Sequence, residues 1–229
     1  MKEIFYNRNE NRELWEKTKQ YADDDSEDPI KLFDLMIPTT FYRSQSVSKT
    51  FQELNVTASG TQLNNMMVRS YLQIGHSIAK ASEAQKYQGA ISYGIPGIYK
   101  NCFKQDVSAL YPSIIRQYRI YNKTKDPYGH LLKLVDTFTL SRLKNKELAK
   151  TTELKYYSDM EQAEKPVINS FYGFLGATGL NYNCPESAAL ITQYGREIIT
   201  KATIFATGKP VEYWDTRMSE DEELDDEEL

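Results

Sequence analysis

Leu63, Met66, Met67, Ser70, Ile74 and Ile78 recur at helical spacing, and that pattern predicts the longest amphipathic helix of the chain, over 61–84. Upstream, 11–22 and 29–36 read as two further helices. They are separated by DDDSEDP, whose acids suit a helix N-terminus and whose Pro29 suits a first turn. The pattern then changes. YQGAISYGIPGIYKNCFKQD, over 87–106, reads as short strands and turns broken at Gly89, Gly94, Pro96 and Gly97, and it ends at Asp106. A linker, VSAL, leads to Tyr111, which precedes a proline and is therefore expected outside a helix, while Pro112 opens a helix to about Arg119. After a break at KTKDPYGH, helical segments over 138–150 and 158–176 predict an antiparallel hairpin. A last helix covers about 185–206, and no internal repeat is present.

Composition narrows this reading only slightly. A chain of 229 residues with 40% hydrophobic content can bury a core in one large or two small domains. No apolar run reaches the roughly 20 residues needed to cross a bilayer, and MKEIFYNRNENRELW lacks the apolar core of a secretion signal, so an intracellular, non-membrane protein is expected. Cys102 and Cys184 stand apart, with no histidine pair near them, and read as reduced, small packing residues.

Charge is more informative, because the net −4 averages unlike regions. Residues 215–229 carry nine acids and one base, whereas 100–155 hold twelve Lys or Arg against five Asp or Glu. The basic centre is a candidate polyanion surface, although on charge alone a solvated helix face is the readier explanation. Spacing adds to it. Arg142, Lys146 and Lys150 stand at i, i+4 and i+8, with Leu140, Leu143 and Leu148 expected on the other side. On the second hairpin helix Lys165 and Asn169 are one turn apart, and Tyr172, Gly173 and Gly176 continue that face. Arginine can grip two phosphate oxygens at once and lysines act as mobile point charges, so two such helices suit a triphosphate.

Four short motifs in order carry a resemblance. DVSALYPSII resembles the D-x-x-S-L-Y-P-S-I stretch of family B DNA polymerases, with Ala109 where serine is usual. KPVINSFYG is similar to their K-x-x-x-N-S-x-Y-G stretch, SRLKNK to their R-x-x-x-K fingers pattern, and YQGA to the Y-x-G-G/A link between editing and polymerising domains. A weaker likeness joins YADDDSEDPIKLFD, through Tyr21 and Asp25, to the third exonuclease motif. The compact fingers resemble the viral and phage type.

The resemblance implies an α+β fold: a partial palm, a two-helix fingers hairpin and the C-terminal end of an exonuclease domain. The expected divisions are 1–36 for the exonuclease end, 37–119 for linker and palm, 120–176 for fingers and 177–214 for the return to the palm. Residues 215–229 would be a disordered acidic tail. Asp106 is implied as the catalytic carboxylate, with Val107 offering a backbone carbonyl to two Mg2+ ions. Ser108, Ala109, Leu110, Tyr111, Arg142, Lys146, Lys165 and Asn169 are implied to bind the nucleotide. Tyr87, Gly89, Tyr172 and Gly173 would meet template and primer, and Tyr21 and Asp25 are an exonuclease remnant.

The sequence departs from the family pattern in two places. Pro166 between Lys165 and Asn169 implies that the helix either begins near Lys165 or kinks there. In YWDTRMSED, Tyr213, Asp215 and Thr216 are kept but Arg217 stands where the second catalytic aspartate belongs. The expectation is therefore a template-directed DNA polymerase that needs a second polypeptide carrying the D-T-D motif and the thumb. Its substrates would be template-primer DNA and deoxynucleoside triphosphates, in a host cytoplasm if the gene is viral. The alternative is a non-catalytic DNA- or nucleotide-binding remnant.

Overall fold

The computed structural model describes residues 2–214 other than 7, 48, 84 and 105. Asp215, Thr216 and Arg217, where the second catalytic aspartate is expected to be missing, and the acidic tail lie outside the described residues.

Helix α1 spans Lys2–Tyr6 and α2 spans Arg12–Ser44. The Leu14 amide donates to Asn11 Oδ1 at 3.0 Å, which caps α2. The two helices expected at 11–22 and 29–36 are thus one, and it also crosses position 36. The acidic run faces water, Lys31 pairs with Glu27 and Asp28, and Pro29 and Pro38 sit inside the helix. A short α3, Phe51–Val56, is closed at its start by a capping box of Thr50 and Glu53.

Helix α4, Ser59–Gln73, buries Leu63, Met66 and Met67 as their spacing predicts. It stops well short of 84. Gly75 takes φ +69° and turns the chain, with the His76 amide donating to the Tyr71 carbonyl at 3.0 Å. Ile74 and Ile78 consequently lie in solvent.

The strands expected over 87–106 do not form, and among the described residues every regular element is helical. Strand conformation needs a ladder partner for its backbone groups. Here one pairing occurs, from the Gly94 amide to the Trp214 carbonyl at 2.9 Å. Amide side chains, buried at Asn183 and half-buried at Asn181, hold the preceding stretch instead. Asn183 Oδ1 accepts from the Ser82 amide at 2.7 Å, its Nδ2 donates to the carbonyls of Ser82 and Ala177, and Asn181 Nδ2 donates to the Ala79 carbonyl.

Helix α5, Leu110–Tyr118, begins on Ala109 in the left-handed conformation at φ +51°. Tyr111 is therefore helical, contrary to expectation. The missing Pro112 N–H costs nothing in a first turn, where amides lack intrahelical acceptors. Helices α6, His130–Thr151, and α7, Lys155–Gly176, form the expected hairpin, and α8 spans Pro185–Thr207. A 3-10 turn covers Val211–Trp214. Helix α7 begins ten residues before Lys165 and runs through Pro166.

The core gathers α4, α5, α6 and α8 around α7. Tyr71, Ile115, Val135, Ile168, Phe171, Phe174 and Ile191 are fully buried. Each such side chain contributes about 1.5–3 kcal/mol through loss of apolar surface from water. The apolar face of α6 is set by Leu131, Leu132, Val135 and Phe138 in its first half. Leu140 and Leu143, expected on the inner side, are 56% and 52% exposed. Cys102 is also exposed rather than packed, while Cys184 is buried.

Candidate nucleotide site

Asp106 lies in irregular chain just before the turn into α5, not at a strand end, and its exposed carboxylate has no side-chain partner among the described residues. Val107 and Ser108 are exposed beside it, and Ala109 and Leu110 pack partly against the core. A non-glycine residue in the left-handed region is strained by about 1–2 kcal/mol, so the turn depends on the anchoring of α5. The Ser113 amide donates to the Ala109 carbonyl at 2.9 Å. Arg116 Nε meets Asp136 Oδ1 at 2.6 Å, tying α5 to α6.

The turn delivers Tyr111 onto Tyr172, with ring centroids 4.7 Å apart and planes at 45°. Tyr87 joins them, its hydroxyl donating to that of Tyr172 at 3.5 Å. Burial first, and then this hydrogen bond, push the Tyr172 phenol well above the ordinary tyrosine range. Three sequence-predicted residues from three separate motifs thus form one cluster. Two glycines make room for it. A Cβ on Gly195 would stand 2.9 Å from the Tyr111 ring, and one on Gly176 would overlap the Tyr87 hydroxyl.

The link that carries Tyr87 is fastened to α8. Arg196 Nη1 donates to the carbonyls of Gln88 and Gly89, each at 2.7 Å, and Thr192 Oγ1 donates to Gln88 at 2.9 Å. Neither Arg196 nor Gly195 was legible as a site residue. The available signal was the one-turn spacing of Thr192 and Arg196 on a predicted helix. Gly173 is exposed and borders a cleft of about 350 Å³ lined by Ser59, Gly60, Thr61, Ser170 and Phe174.

The cations of the hairpin divide into two kinds. Lys146, Lys165 and Asn169 are exposed. Arg142 is not free: its Nε and Nη2 both donate to Glu161 Oε1 of α7, at 2.9 and 2.6 Å. One turn along α7, buried Glu164 accepts from Ser141 at 2.5 Å and from Asn145 at 3.1 Å. These contacts set the antiparallel register. From base to tip the order is Asn169, Lys165, Arg142, Lys146.

Tyr21 and Asp25 share an exposed face of α2 and are not brought to this cluster. Helix α2 meets α7 at Tyr42, whose ring lies 5.3 Å from that of Tyr156. At 1.5 Å per residue, Asp25 is about 25 Å along the helix from that contact. Among the described residues no group of three or more His, Cys, Asp or Glu could hold a metal ion, and no helix is long and apolar enough to cross a membrane.

Exposed cations of α6 and α7, the turn bearing Asp106 and the tyrosine cluster are thus carried by the elements packed around α7. Comparison with known proteins adds to this. Residues 119–227 match the sequence profile of DNA polymerase family B. DNA polymerase 2 of Aeropyrum pernix is 24% identical over 86% of this chain and 29% of its own length. DNA polymerase II of Escherichia coli is 33% identical over 53% of this chain and 18% of its own length. The solved family B DNA polymerase of Pyrobaculum calidifontis shares the fold, with a TM-score of 0.67 at 20% identity, over 84% of this chain and 30% of that one. Over the stretch it shares with these proteins, the chain is similar to the family B DNA polymerases. It spans less than a third of the length of each of these relatives.

Proposed function

We propose that this chain forms the nucleotide-binding part of a family B DNA polymerase, which adds deoxynucleotides to a primer 3′-hydroxyl under direction of a template. The observation that carries the reading is the convergence of Tyr87, Tyr111 and Tyr172 beside the turn bearing Asp106.

In this reading 120–176 act as fingers and 37–119 with 177–214 as linker and palm. The segment 1–36 belongs to the end of an exonuclease-type domain. The Tyr111 ring, held by Tyr172 and by the absence of a side chain at Gly195, would support the sugar of the incoming nucleotide and leave no room for a 2′-hydroxyl. Lys146, Lys165 and Asn169, with Arg142 once it is released, would hold the triphosphate. Tyr172 and Gly173 would face the nascent base pair, with the cleft beside Gly173 open to the template strand.

The donors near Asp106 suit magnesium, a hard cation that accepts a carboxylate and a carbonyl and completes its shell with water and phosphate oxygens. Asp106 and the Val107 carbonyl would hold it. When bound, the ion offsets phosphate charge and activates an attacking oxygen. The described residues offer one carboxylate where a two-ion site needs two. The second comes from elsewhere, either later in the same polypeptide or on a second chain carrying a D-T-D motif and a thumb.

Primer extension with this chain, alone and mixed with a protein carrying the D-T-D motif, tests the reading. Synthesis that disappears in Asp106→Ala supports it. DNA binding that survives Asp106→Ala, with no synthesis in any mixture, would reduce the chain to a non-catalytic binding module.

A further inference from the structure

Among the four hairpin residues assigned to the triphosphate, Arg142 alone is committed to another partner. Two of its guanidinium donors end on one oxygen of Glu161, and the side chains are only 15% and 19% exposed. Exposed ion pairs contribute about 0–1 kcal/mol. Partial burial raises the stake, because either charge left without its partner is poorly solvated. Arg142 therefore cannot present its Nε–Nη2 edge to a phosphate without giving up an interaction that the free protein has already made.

The surroundings increase the cost of that move. Glu161 and Glu164 are three positions apart on α7, where like charges repel. Glu164 is buried, and its fixed partners from α6 are the neutral groups of Ser141 and Asn145. The one cation paired in this cluster is Arg142, so its departure would leave two carboxylates facing each other.

We propose that Glu161 is a positioning residue that holds Arg142 off the nucleotide until the phosphates displace it, so that Glu161 sets nucleotide affinity. The inference rests on the reading that Arg142 grips the triphosphate. Hairpin closure on a nucleotide is then an exchange of one carboxylate for phosphate oxygens at the same guanidinium. Glu161 belongs to no motif of the sequence, and only the antiparallel register of α6 and α7 brings it to Arg142.

The test is binding of dATP with magnesium to the full chain, by calorimetry, with folding of each variant checked by circular dichroism. Glu161→Gln should bind about three- to ten-fold more tightly, in keeping with removal of one half-buried charge partner. Glu161→Asp, which keeps the charge, should return affinity toward the wild-type value. Arg142→Ala should weaken binding, and adding Glu161→Gln to it should change nothing further. Glu161→Gln that leaves affinity unchanged or weakens it, while Arg142→Ala weakens it, overturns the proposal. Arg142→Ala without effect overturns instead the reading on which it rests. A measurement on the unaltered protein guards against misfolded variants. The Arg142 Nε–H resonance, identified by its loss in Arg142→Lys, should shift as dATP binds, and a resonance that stays put while the nucleotide binds refutes the exchange.

Discussion

The ring of Tyr111 rests against the ring of Tyr172, their centroids 4.7 Å apart. One stands in the first turn of α5 and the other near the end of α7, and Gly195 of α8 backs the contact. A methyl group at 195 would press on the Tyr111 ring at 2.9 Å with Ile114 close behind. Overpacking of this kind costs about 1–3 kcal/mol. Set against alanine's helix preference of about 1 kcal/mol over glycine, Gly195→Ala should lose up to about 2 kcal/mol in urea unfolding and also weaken nucleotide binding, since the ring must move.

Gly176 and Tyr87 are coupled in the same manner. A Cβ at 176 would overlap the Tyr87 hydroxyl but meets the remaining neighbours, Tyr87 Cζ and Ala188 Cβ, at ordinary contact distances of 3.4 and 3.6 Å. Gly176→Ala alone should destabilise. In a Tyr87→Phe background the obstruction is gone, and alanine's helix preference of about 1 kcal/mol over glycine should make the same change neutral or stabilising. A double-mutant cycle of unfolding free energies checks that reversal of sign.

Asp126 organises the entry to α6. Its carboxylate accepts from the Tyr71 hydroxyl at 2.5 Å and from the amides of His130 and Leu131 at 2.8 and 2.9 Å. The residue is buried. Asp126→Asn would turn an amide donor toward other donors, and hydrogen bonds to a charged group contribute about 1.5–3 kcal/mol each. A loss of about 2–4 kcal/mol is expected, read as a lower denaturation midpoint with an unchanged slope.

Burial raises the Glu164 carboxyl above its ordinary value of 4.5, against the lowering effect of its hydrogen bonds from Ser141 and Asn145. A raised value in the folded state means that the folded protein binds this proton more tightly than the unfolded chain does. The stability it contributes is complete below pH 4.5 and is lost as pH rises through the folded value. Glu164→Gln should remove that slope, so its stability relative to wild type should rise between pH 4.5 and neutrality. Unfolding midpoints across this range provide the measurement.

Asp106 differs from these residues, being exposed and free of side-chain partners among the described residues. Asp106→Asn should leave the melting temperature within about 2 °C, because exposed substitutions away from such features cost under about 0.5 kcal/mol. Magnesium-dependent binding of dATP should fall at least ten-fold, whereas binding without magnesium should be little changed. Titrations with and without the metal separate the two effects.

Several elements were readable from the chain because their signals are local. The hairpin over α6 and α7, the break before it, and α8 arise from helical periodicity, turn residues and Pro185 in a first turn. Elements that depend on partners were not. The acidic run and Pro29 read as a gap between helices, yet the structure continues through them. The stretch over 87–106 has the composition of strands, but strands form only where another backbone supplies hydrogen bonds.

The same division runs through the candidate site. Periodicity put Arg142 with Lys146, and Lys165 with Asn169, on common helix faces, and the motifs singled out Tyr87, Tyr111 and Tyr172. Tertiary structure decided that the three tyrosines touch, that glycines at 176 and 195 admit them, and that Arg142 is held by Glu161 while the lysines remain exposed. Helical spacing constrains residues three or four positions apart, whereas contacts across tens of positions are set by how the helices pack.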